Sequence, residues 1–570
     1  MQYRWQIKEQ APEAEQLKLQ RALGINRVTA QILLQRDIRS FNQAKDFFRP
    51  DNHKLHDPFL MKDMGKAVER LQAALEEGQG VLVYGDYDVD GTTSVALICS
   101  FFKQIGFEHF DSYVPDRYKE GYGLSKQGID YACEKGFSLM ICLDCGIKAI
   151  DQVAYATEKG LDIIICDHHR PAEDLPKAYA ILDPKQKDCD YPYKELSGCG
   201  IGYKLITAWS EKFDVKLNQD GLIDLCAISI ACDIVPLTGE NRILSALGLA
   251  SLNEKPRPGI KAMLEKAGKG DELENTNLVF IIGPRINAAG RIKHAKEAVS
   301  LLLAEQQEEV RELVEAIEAY NLERRETDQQ TTKEALEMIE NSEFLSKANS
   351  TVVFKEDWHK GVIGIVASRI IENYYRPTIV LTETEKGKLA GSARSVHDFD
   401  VYQAIEACEE DLIQFGGHKY AAGLTMEKKK LNSFQKRFEE VVSASIADDQ
   451  KNPFVSIDLE IGFDEISNKL IHQIAQMAPF GPQNMKPTFI TRGLVDEASK
   501  LVGQDRTHLK LKLRELKTDI VMEGIGFSLG EWINHLHAGK PIDLAYNLEF
   551  NEWNGRKRIQ LMVKDIKASE

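Results

Sequence analysis

The stretch of residues 81–91, Val-Leu-Val-Tyr-Gly-Asp-Tyr-Asp-Val-Asp-Gly, decides the fold of this chain. Its first four residues form a short, continuous apolar run, which is typical of a strand buried on both faces of a parallel sheet. Three carboxylates follow at alternate positions, Asp86, Asp88 and Asp90, and a helical pattern comes after them. Because an open α/β sheet binds its ligands at the carboxyl ends of its strands, these residues mark the expected site.

Carboxylates aimed at one point repel one another unless a cation lies between them. We therefore expect this motif to hold a divalent cation. The alternative is an Asp-rich turn whose side chains only cap the helix that follows. An EF-hand loop is excluded, because no helix precedes the motif and Leu97, not Glu, occupies the twelfth position counted from Asp86.

Two further apolar runs end in polar residues. Residues 139–143 lead to Asp144, and the next run leads to Asp167, His168 and His169. A lone histidine is more often structural than a ligand. Two adjacent histidines after a strand-end aspartate, in a chain with only 13 His, favour a site. Imidazole and carboxylate together suit Mn²⁺.

These apolar segments, with a fourth that precedes Asp233, carry six polar side chains towards one edge of the expected sheet. The six are Asp88, Asp90, Asp144, His168, His169 and Asp233. Such a set is about what two divalent ions need, and two ions can activate a water for in-line displacement at phosphorus. No nucleophilic Ser or Cys is then required. Cys142 and Cys145 match a CxxC pattern, but no second pair completes a zinc site.

The rest of the chain divides by pattern. Residues 294–341 are charge-rich and helical without Pro or Gly, which predicts one long connecting helix. A second alternating α/β region begins near residue 350, and a polar linker covers 448–453. Short alternating strands follow, typical of a small OB-like β-barrel. The fold class is therefore α/β, with a parallel-sheet domain, a long helix, a smaller α/β domain and a C-terminal barrel.

Composition limits the function classes. The 570 residues suggest about three or four domains. The hydrophobic fraction of 43% excludes wholesale disorder, and no apolar run is long enough to span a membrane. The net charge of −16 argues weakly against a phosphate-covered partner, unless acidic residues lie away from a basic channel. Ten cysteines, mostly in apolar runs, and an N-terminus without a signal pattern predict a cytoplasmic protein.

Several motifs together resemble a known family. The element at 88–91, Asp144 and the triplet at 167–169 resemble the DHH phosphoesterase superfamily. Ser-Ala-Arg-Ser at 392–395 and the glycine-rich stretch at 416–423 resemble its companion DHHA1 domain. Within the superfamily, three motifs resemble the RecJ family of single-strand-specific exonucleases: Gly-Asp-Tyr-Asp-Val-Asp-Gly at 85–91, Asp-Ile-Val-Pro-Leu at 233–237, and the motif at 283–291.

The resemblance implies a metal-dependent 5′→3′ exonuclease that hydrolyses single-stranded DNA to mononucleotides in recombination and repair, with two divalent cations, Mn²⁺ or Mg²⁺. It implies a monomer that binds no membrane and has single-strand-binding protein and a helicase as partners. The implied domains are an N-terminal helical segment (1–60), a DHH catalytic domain (61–293), a connecting helix (294–341), a DHHA1 domain (342–447) and an OB-like nucleic-acid-binding domain (453–570).

The resemblance also assigns residues. The implied metal ligands are Asp88, Asp90, Asp144, His168 and Asp233, with Asp88 and Asp144 also catalytic and His169 as a second catalytic histidine. The implied 5′-phosphate and DNA-binding residues are Arg117, Ser392, Arg394, Gly416, Gly417 and His418. Asp86, Arg285, Asn287 and Arg291 lie in the motifs with less defined roles. Tyr84 stands where the family often has His, and we leave it outside the metal set.

Two alternatives stay open. One is a DHH phosphoesterase acting on short oligoribonucleotides or cyclic dinucleotides, against which the long helix and the barrel argue. The other is an inactive single-stranded-DNA-binding scaffold, which the full set of ligand positions disfavours. The aromatic and basic residues of the barrel have two possible roles: they bind single strands, or the aromatic ones form the core and the charged ones the solvated rim. These residues are Lys510, Lys512, Phe527, Trp532, Phe550, Trp553, Arg556, Lys557 and Arg558.

Overall fold

A computed structural model describes residues 3–270, 272–385, 387–553 and 556–569. Two compact units make up the chain. The first unit contains Asn42–Leu322 and Gln476–Lys486, and the second contains the chain up to Phe41, Glu323–Ala475 and the chain from Pro487. Within the described ranges, every helix is too short or too polar to cross a membrane.

The strands alternate with helices in the first unit and dominate the C-terminal part of the second. The strands are β1 (Arg4–Ile7), β2 (Gly80–Gly85), β3 (Phe110–Tyr113), β4 (Phe137–Leu143), β5 (Asp162–Cys166), β6 (Ala180–Leu182), β7 (Thr351–Phe354), β8 (Thr378–Glu385), β9 (Lys388–Arg394), β10 (Leu412–His418), β11 (Ala421–Glu427), β12 (Phe454–Ile457), β13 (Leu459–Glu460), β14 (Phe489–Asp496), β15 (Lys500–Val502), β16 (His508–Glu515), β17 (Val521–Gly526), β18 (Ile542–Trp553) and β19 (Arg556–Ala568).

The helices are α1 (Glu13–Leu23), α2 (Arg27–Leu34), α3 (Phe41–Phe48), α4 (Met64–Glu76), α5 (Val89–Gln104), α6 (Lys126–Glu134), α7 (Ile150–Glu158), α8 (Gly198–Phe213), α9 (Asp220–Cys232), α10 (Gly239–Glu254), α11 (Pro258–Lys266), α12 (Asn275–Asn277), α13 (Gly283–Ile292), α14 (Lys296–Leu303), α15 (Gln307–Glu340), α16 (Glu343–Lys347), α17 (Ile363–Asn373), α18 (Val401–Glu406), α19 (Leu431–Ser445), α20 (Asn468–Ala475) and α21 (Ile533–His537). A π-helical turn, Leu278–Ile282, lies between α12 and α13.

The first unit is built on a five-stranded parallel sheet with the order β3-β2-β4-β5-β6. All residues of β2 are buried, and its side chains alternate between two cores. Val81 and Val83 pack with residues of α4, α5, α8 and α9, whereas Leu82 and Tyr84 pack with residues of α6 and α7. The prediction of a parallel sheet covered on both faces is confirmed, and all its strands end at one carboxyl edge.

The single helix predicted over 294–341 is wrong. The chain forms α14, leaves the helical conformation at Ala304, and begins α15 only at Gln307. Leu301 and Leu302 are buried in the core of the first unit, so α14 packs down onto that core instead of continuing outwards. No Gly or Pro marks this break in the sequence. Helix α15 has 34 residues and is about 50 Å long at 1.5 Å per residue.

The second unit contains a mixed five-stranded sheet with the order β10-β11-β9-β8-β7. Only β7 and β8 run parallel, and the other neighbours are antiparallel. On α15, the fully buried Asp328 carboxylate accepts from Arg324 Nη1 at 2.9 Å and lies 2.6 Å from Arg369 Nη1. This carboxylate is therefore compensated by two guanidinium groups of its own unit.

The C-terminal strands close into a barrel. Strand β14 pairs with β18, β18 with β19, β19 with β17, β17 with β16, and β16 again with β14. This closed ring confirms the OB-like prediction. The first extended stretch after the linker forms two short strands, β12 and β13. Strand β12 pairs with β1, so residues 4–7 are extended rather than helical as predicted.

The segment Gln476–Lys486 belongs to the first unit although its neighbours in sequence do not. Arg242 Nη1 donates to the Met477 carbonyl at 2.9 Å, and the Leu237 N–H donates to the Pro482 carbonyl at 2.8 Å. Leu237 lies on the loop that follows α9. The segment therefore fixes that loop from a position about 240 residues later in the chain.

Candidate metal centre and phosphate-binding residues

Asp90 lies in the first turn of α5. Two backbone N–H groups at the start of α8 and a serine hydroxyl of α9 bind its carboxylate. Its Oδ2 accepts from the Gly198 N–H at 2.7 Å, and its Oδ1 accepts from the Cys199 N–H at 2.9 Å and from Ser229 Oγ at 2.7 Å. A Cβ on Gly198 would lie 2.8 Å from the Cβ of Asp144. The start of α8 thus approaches closely because it begins with glycine.

Asp88 is the N-cap of α5 and accepts from the Gly91 N–H at 3.1 Å. The capping role that the sequence left open is therefore present. Its charge also acts on the site, because it raises the pKa values of Asp86, Asp144 and Asp233. Asp86 is fully buried, and burial is the main reason why its pKa lies well above the ordinary value.

The predicted ligands at the ends of β4 and β5 meet around a small space. Nε2 of His168 lies 3.1 Å from Asp144 Oδ1, 3.5 Å from Asp233 Oδ2 and 3.6 Å from Asp90 Oδ2. Two sets of donor atoms each lie within 4.8 Å of one another: one comes from Asp144, His168 and His169, and the other from Asp90, His168 and Asp233. Asp88 is in neither set.

The donor atoms at this space lack compensation. Among the described residues, His168 Nε2, Asp144 Oδ1 and Asp233 Oδ2 are buried and make no hydrogen bond. Burial and the charges of Asp90 and Asp88 raise the pKa values of Asp144 and Asp233 well above the ordinary value. Burial lowers the pKa of His168, so its imidazole is neutral and offers a lone pair. These donors fit a divalent cation of the Mn²⁺ type.

Helix α9 supplies two residues of the site. The apolar run before Asp233 is the end of this helix, and Asp233 is its C-cap. Ser229, which holds Asp90, lies one turn earlier and on the same face as Asp233. The next residue, Ile234, has φ of 60° and is exposed. A β-branched residue in this left-handed region is strained, and such strain concentrates at functional sites.

No role is assigned from the sequence to two residues near the histidines, Asp167 and Tyr122. Asp167 Oδ1 accepts from His169 Nδ1 at 2.7 Å, and its Oδ2 accepts from the Ile147 N–H at 2.9 Å. Burial alone would lower the pKa of His169, but this hydrogen bond and nearby carboxylates raise it to about 9. On the other ring nitrogen, Tyr122 Oη lies 3.0 Å from His169 Nε2. Asp167 is part of the motif, but its role in orienting His169 follows only from the hydrogen bond at Nδ1.

Tyr84 lies outside the metal set, as expected. Its hydroxyl donates to the Gly123 carbonyl at 2.7 Å and accepts from the Ser125 N–H at 3.1 Å. Arg117 follows β3 in the same loop region, half-buried, with its guanidinium 4.6 Å from the ring centroid of Tyr87. Arg117 therefore stands at the carboxyl edge of the sheet, and its charge opposes the raised pKa of Asp86.

The predicted phosphate-binding residues of the second unit lie in three adjacent rows of its sheet, on β9 and β10 with β11 between them, and we call this region the phosphate row. Ser392 pairs with Gly423, which pairs with Gly416, and Arg394 pairs with Ala421, which pairs with His418. Arg394 Nη1 donates to Ser392 Oγ at 3.1 Å. A Cβ on Gly416 would meet no atom within 4 Å, so the backbone is open at this position.

A helix end faces the same row. A Cβ on Gly364, in the first turn of α17, would lie 2.9 Å from both Arg394 Nη2 and Ser392 Oγ. The positive end of a helix dipole, a guanidinium and a hydroxyl are thus neighbours, which is an arrangement suited to phosphate. Gly417, with φ of 150°, could not carry a side chain, because a Cβ would lie 2.4 Å from the Ala421 carbonyl oxygen.

The residues of the 283–291 motif have structural contacts. Arg285 Nε donates to Glu318 Oε1 at 2.5 Å, so this guanidinium pairs with a carboxylate. The Arg291 carbonyl accepts from the Tyr118 hydroxyl. Burial raises the pKa values of Tyr87 and Tyr118, and the charges of Arg117 and Arg291 oppose this rise. Asn287 is half-buried on α13.

The barrel residues divide between core and surface. On β16, Leu509 and Leu511 are buried while Lys510 and Lys512 are exposed, as expected for a closed barrel. Phe527 is 59% exposed, and its ring lies edge-on to the imidazole of His508, with 5.3 Å between the ring centroids. The remaining predicted residues are half-buried or at the rim: Trp532, Phe550, Lys557 and Arg558. The side chains of Trp553 and Arg556 lie outside the described residues.

Three family models match successive parts of the chain. The DHH family N-terminal domain matches residues 80–230, the DHHA1 domain matches residues 347–444, and the RecJ OB domain matches residues 457–565. The matches therefore include the carboxyl edge of the parallel sheet, the row around Arg394 and the closed barrel.

Similar whole proteins agree with these matches. The single-stranded-DNA-specific exonuclease RecJ of Bacillus subtilis (strain 168) is 37% identical over 571 residues, which cover 100% of this chain and 71% of that protein. The RecJ of Escherichia coli (strain K12) is 34% identical, covering 88% of this chain and 89% of that protein. The crystal structure of RecJ in complex with Mn²⁺ from Thermus thermophilus superposes with a TM-score of 0.86 at 25% identity, covering 100% of this chain and 80% of that one. The chain belongs to the RecJ family of single-stranded-DNA-specific exonucleases.

Proposed function

We propose that this chain is a metal-dependent exonuclease that hydrolyses single-stranded DNA from the 5′ end to mononucleotides, in DNA recombination and repair. The observation that carries the proposal is the space between His168, Asp144 and Asp233, where buried donor atoms of the described residues face one another without a hydrogen bond. The proposed domain limits are those predicted from the sequence, except that the connecting helix begins only at Gln307. The DHH and DHHA1 domains supply the catalytic edge and the phosphate row.

The proposed ligands of two divalent cations, Mn²⁺ or Mg²⁺, are Asp88, Asp90, Asp144, His168 and Asp233. When bound, two such ions lower the pKa of a coordinated water and stabilise the attacking and departing oxygens at phosphorus. The Asp90 carboxylate accepts three hydrogen bonds, from Gly198, Cys199 and Ser229, which fix its orientation before an ion binds. Neutral His168 supplies nitrogen, which favours Mn²⁺ over Mg²⁺.

His169 is the proposed proton donor to phosphate oxygens. Asp167 accepts a hydrogen bond from Nδ1 of His169 and so fixes the orientation of the ring. The other ring nitrogen, Nε2, lies next to the Tyr122 hydroxyl. Nε2 is therefore the ring atom that can donate to a non-bridging oxygen as charge develops there. Asp167 is a positioning residue in this scheme, because it acts through His169.

The proposed phosphate ligands of the second unit are Ser392, Arg394, Gly416, Gly417 and His418. Arg117 is the proposed phosphate ligand of the first unit. The resemblance assigns these residues to the 5′-terminal phosphate. A guanidinium beside a helix N-terminus binds a terminal phosphate without contacting a base. Such a site accounts for a preference for the 5′ end of a strand whatever its sequence.

Digestion of a fifty-nucleotide strand labelled at either end tests the proposal. We expect Mn²⁺ to support release of a labelled mononucleotide from the 5′ end of single strands, with little release from duplex and none with chelator. Release from the 3′ end first would contradict the polarity. Faster cleavage of a five-nucleotide than of a fifty-nucleotide substrate would favour the short-oligonucleotide alternative. Strand binding without cleavage at any Mn²⁺ concentration would favour the inactive scaffold.

Arg394→Ala adds a residue-level arm to that assay. We expect it to reduce the preference for a 5′-phosphate over a 5′-hydroxyl strand, because the guanidinium is the strongest phosphate donor of the row. Arg325→Ala, an exposed arginine of the same unit, is the matched control. Equal discrimination by both variants would remove Arg394 from the proposed pocket.

We further propose a cytoplasmic monomer that works with single-strand-binding protein and a helicase. All ten cysteines are free, and eight of them are buried, which supports a reducing compartment. The partners rest on the family resemblance. Gel filtration with light scattering tests the monomer, and a dimer at micromolar concentration would contradict it.

A further inference from the structure

A cavity of about 720 Å³ lies in the first unit, outside the cluster of metal ligands. The residues immediately after His169 form one wall, and the loop after β6 forms the other. The charged groups that line it are Lys62, Arg170, Glu173, Lys185, Lys187 and Asp188. Four of these six are cations, in a chain whose net charge is −16.

Two of the cations are already paired and two are not. Lys62 Nζ lies 2.7 Å from Asp188 Oδ2, and Lys185 Nζ lies 3.3 Å from Glu195 Oε2. Across the described residues, Arg170 and Lys187 form no ion pair with any carboxylate. An unpaired guanidinium and an unpaired ammonium on facing walls suit an anion that bridges them.

The wall after β6 is held rigidly. Asp183 is fully buried, and its Oδ1 accepts from the Lys185 N–H at 2.7 Å. Gln186 is 3% exposed and donates to the carbonyls of Ile181, at 2.9 Å, and Asp183, at 3.2 Å. The loop that presents Lys185 and Lys187 is therefore fixed by buried polar side chains, so its cations lose little freedom when they bind a ligand.

Sheet order relates this cavity to the proposed path of the substrate. Arg117 follows β3 at one end of the sheet, the metal ligands follow β2, β4 and β5, and the cavity lies after β5 and β6 at the other end. Neighbouring strands are about 4.8 Å apart, so the two ends are about 19 Å apart along this edge. A strand held by its 5′-phosphate near Arg117 and cut at the metal ligands continues towards β6.

We propose that this cavity is a second phosphate-binding site, which takes the backbone phosphates on the 3′ side of the scissile bond. Arg170 and Lys187 are its principal ligands, and Lys185 contributes charge. The site reads no sequence, because it contacts only phosphates. This inference rests on the proposed 5′→3′ exonuclease. It adds a subsite that retains the remaining strand after each cleavage.

Substrate length tests the subsite. A 5′-phosphorylated dinucleotide has only the terminal and the scissile phosphate, whereas a twelve-nucleotide strand adds phosphates on the 3′ side. The variant combines Arg170→Gln with Lys187→Gln. The matched control combines Lys216→Gln with Lys261→Gln, two exposed lysines of the same unit. Thermal melting of both variants against the parent verifies that each is folded.

For the twelve-nucleotide strand we expect the Arg170/Lys187 variant to raise KM about tenfold and to reduce the slope of log KM against log salt by about 1.4, because each phosphate contact on a single strand contributes about 0.7. We expect kcat/KM for the dinucleotide to stay unchanged, and the control variant to behave like the parent. Equal losses on both substrates would overturn the proposal, because the residues would then act at the metal centre.

Inhibition by thymidine monophosphate and by inorganic phosphate distinguishes other occupants. If the Arg170/Lys187 variant lost product inhibition while its length profile matched the parent, the cavity would be a site for released nucleotide and the proposal would be wrong. If the parent chain showed no cleavage with Mn²⁺, or cleaved from the 3′ end, the proposed exonuclease itself would fail. The binding of a twelve-nucleotide strand by both variants would then still measure whether the cavity holds phosphates.

Discussion

Two buried carboxylates in this chain have opposite surroundings. Asp328 is fully buried on α15, with Arg324 Nη1 at 2.9 Å and Arg369 Nη1 at 2.6 Å. Asp144 is equally buried at the end of β4, but within the described part of the chain its ion-pair neighbours are only the imidazoles of His168 and His169, with no arginine or lysine, and its pKa is raised by burial and by other aspartates. The chain itself neutralises the first carboxylate and leaves the second for a cation.

This difference distinguishes a buried carboxylate that stabilises the fold, Asp328, from one that is available to bind a ligand, Asp144. A buried carboxylate is tolerated in a fold when hydrogen-bonded cations surround it. A cluster of carboxylates without such partners lowers the stability of the empty site, and proteins keep this arrangement where a ligand supplies the missing charge. The contrast between the environments of Asp328 and Asp144 therefore predicts opposite responses to the same substitution.

Asp144→Asn should show the largest effect. We expect cleavage with Mn²⁺ to fall on the order of 10³-fold, since charge stabilisation in the transition state is lost, while binding of single-stranded DNA is retained. The metal-free variant should melt at a higher temperature than the metal-free parent, because one repelling charge is gone. Mn²⁺ should then raise the melting temperature of the parent more than that of the variant.

Fluorescence anisotropy with labelled strands measures the binding, and calorimetry with and without chelator measures the melting. Asp151→Asn, an exposed aspartate of the same unit, is the matched control. Cleavage by Asp144→Asn at the parental rate would contradict the metal assignment. A lower melting temperature in the absence of metal would show that Asp144 is compensated like Asp328.

Asp328→Asn should do the reverse. We expect it to destabilise the second unit by about 3 kcal/mol, because two guanidinium groups lose their buried partner. Cleavage per folded molecule should stay at the parental rate, since Asp328 belongs neither to the proposed metal ligands nor to the proposed phosphate-binding residues. Urea unfolding measures the stability. Unchanged stability would mean that the two arginines find other partners.

Asp183 offers the smallest and most specific test. Its Oδ2 is buried without a hydrogen-bond partner among the described residues, and burial raises its pKa to about 7. The folded pKa therefore exceeds the unfolded value of about 3.9. This protonation contributes stability that is fully present below that unfolded value and is lost as the pH rises through about 7.

Asp183→Asn should flatten the pH profile of stability between about pH 4 and pH 7, the interval between the unfolded and the folded pKa. Melting temperatures of parent and variant, measured across this range with Mn²⁺ present to compensate the metal ligands, isolate the effect of Asp183. Parallel profiles for the two proteins would show that Asp183 does not titrate in this window.

Much of the first unit could be predicted because its signals are local. Continuous apolar runs identified the strands β2, β4 and β5, and the carboxyl-edge rule placed Asp90, Asp144 and His168 together before any coordinates. The order of strands in the sheet and the distances between ligands are tertiary properties. They had to come from the structure.

What could not be predicted depends on contacts between distant residues. The break at Ala304 carries no Gly or Pro and follows only from the packing of α14 on its core. The pairing of β1 with β12 joins residues about 450 positions apart. Likewise, the roles of Ser229 in holding Asp90 and of Tyr122 in facing His169 leave no motif, because each arises where two separate segments meet.

The segment Gln476–Lys486 has a consequence for how the enzyme is made. It fixes the loop after Asp233 through the hydrogen bond between Leu237 and Pro482. Ribosomes produce the amino end first, so this loop stays unsupported until translation has passed residue 486. We therefore expect nascent chains that end before residue 486 to lack a finished metal centre, which withholds DNA degradation until that segment has been synthesised.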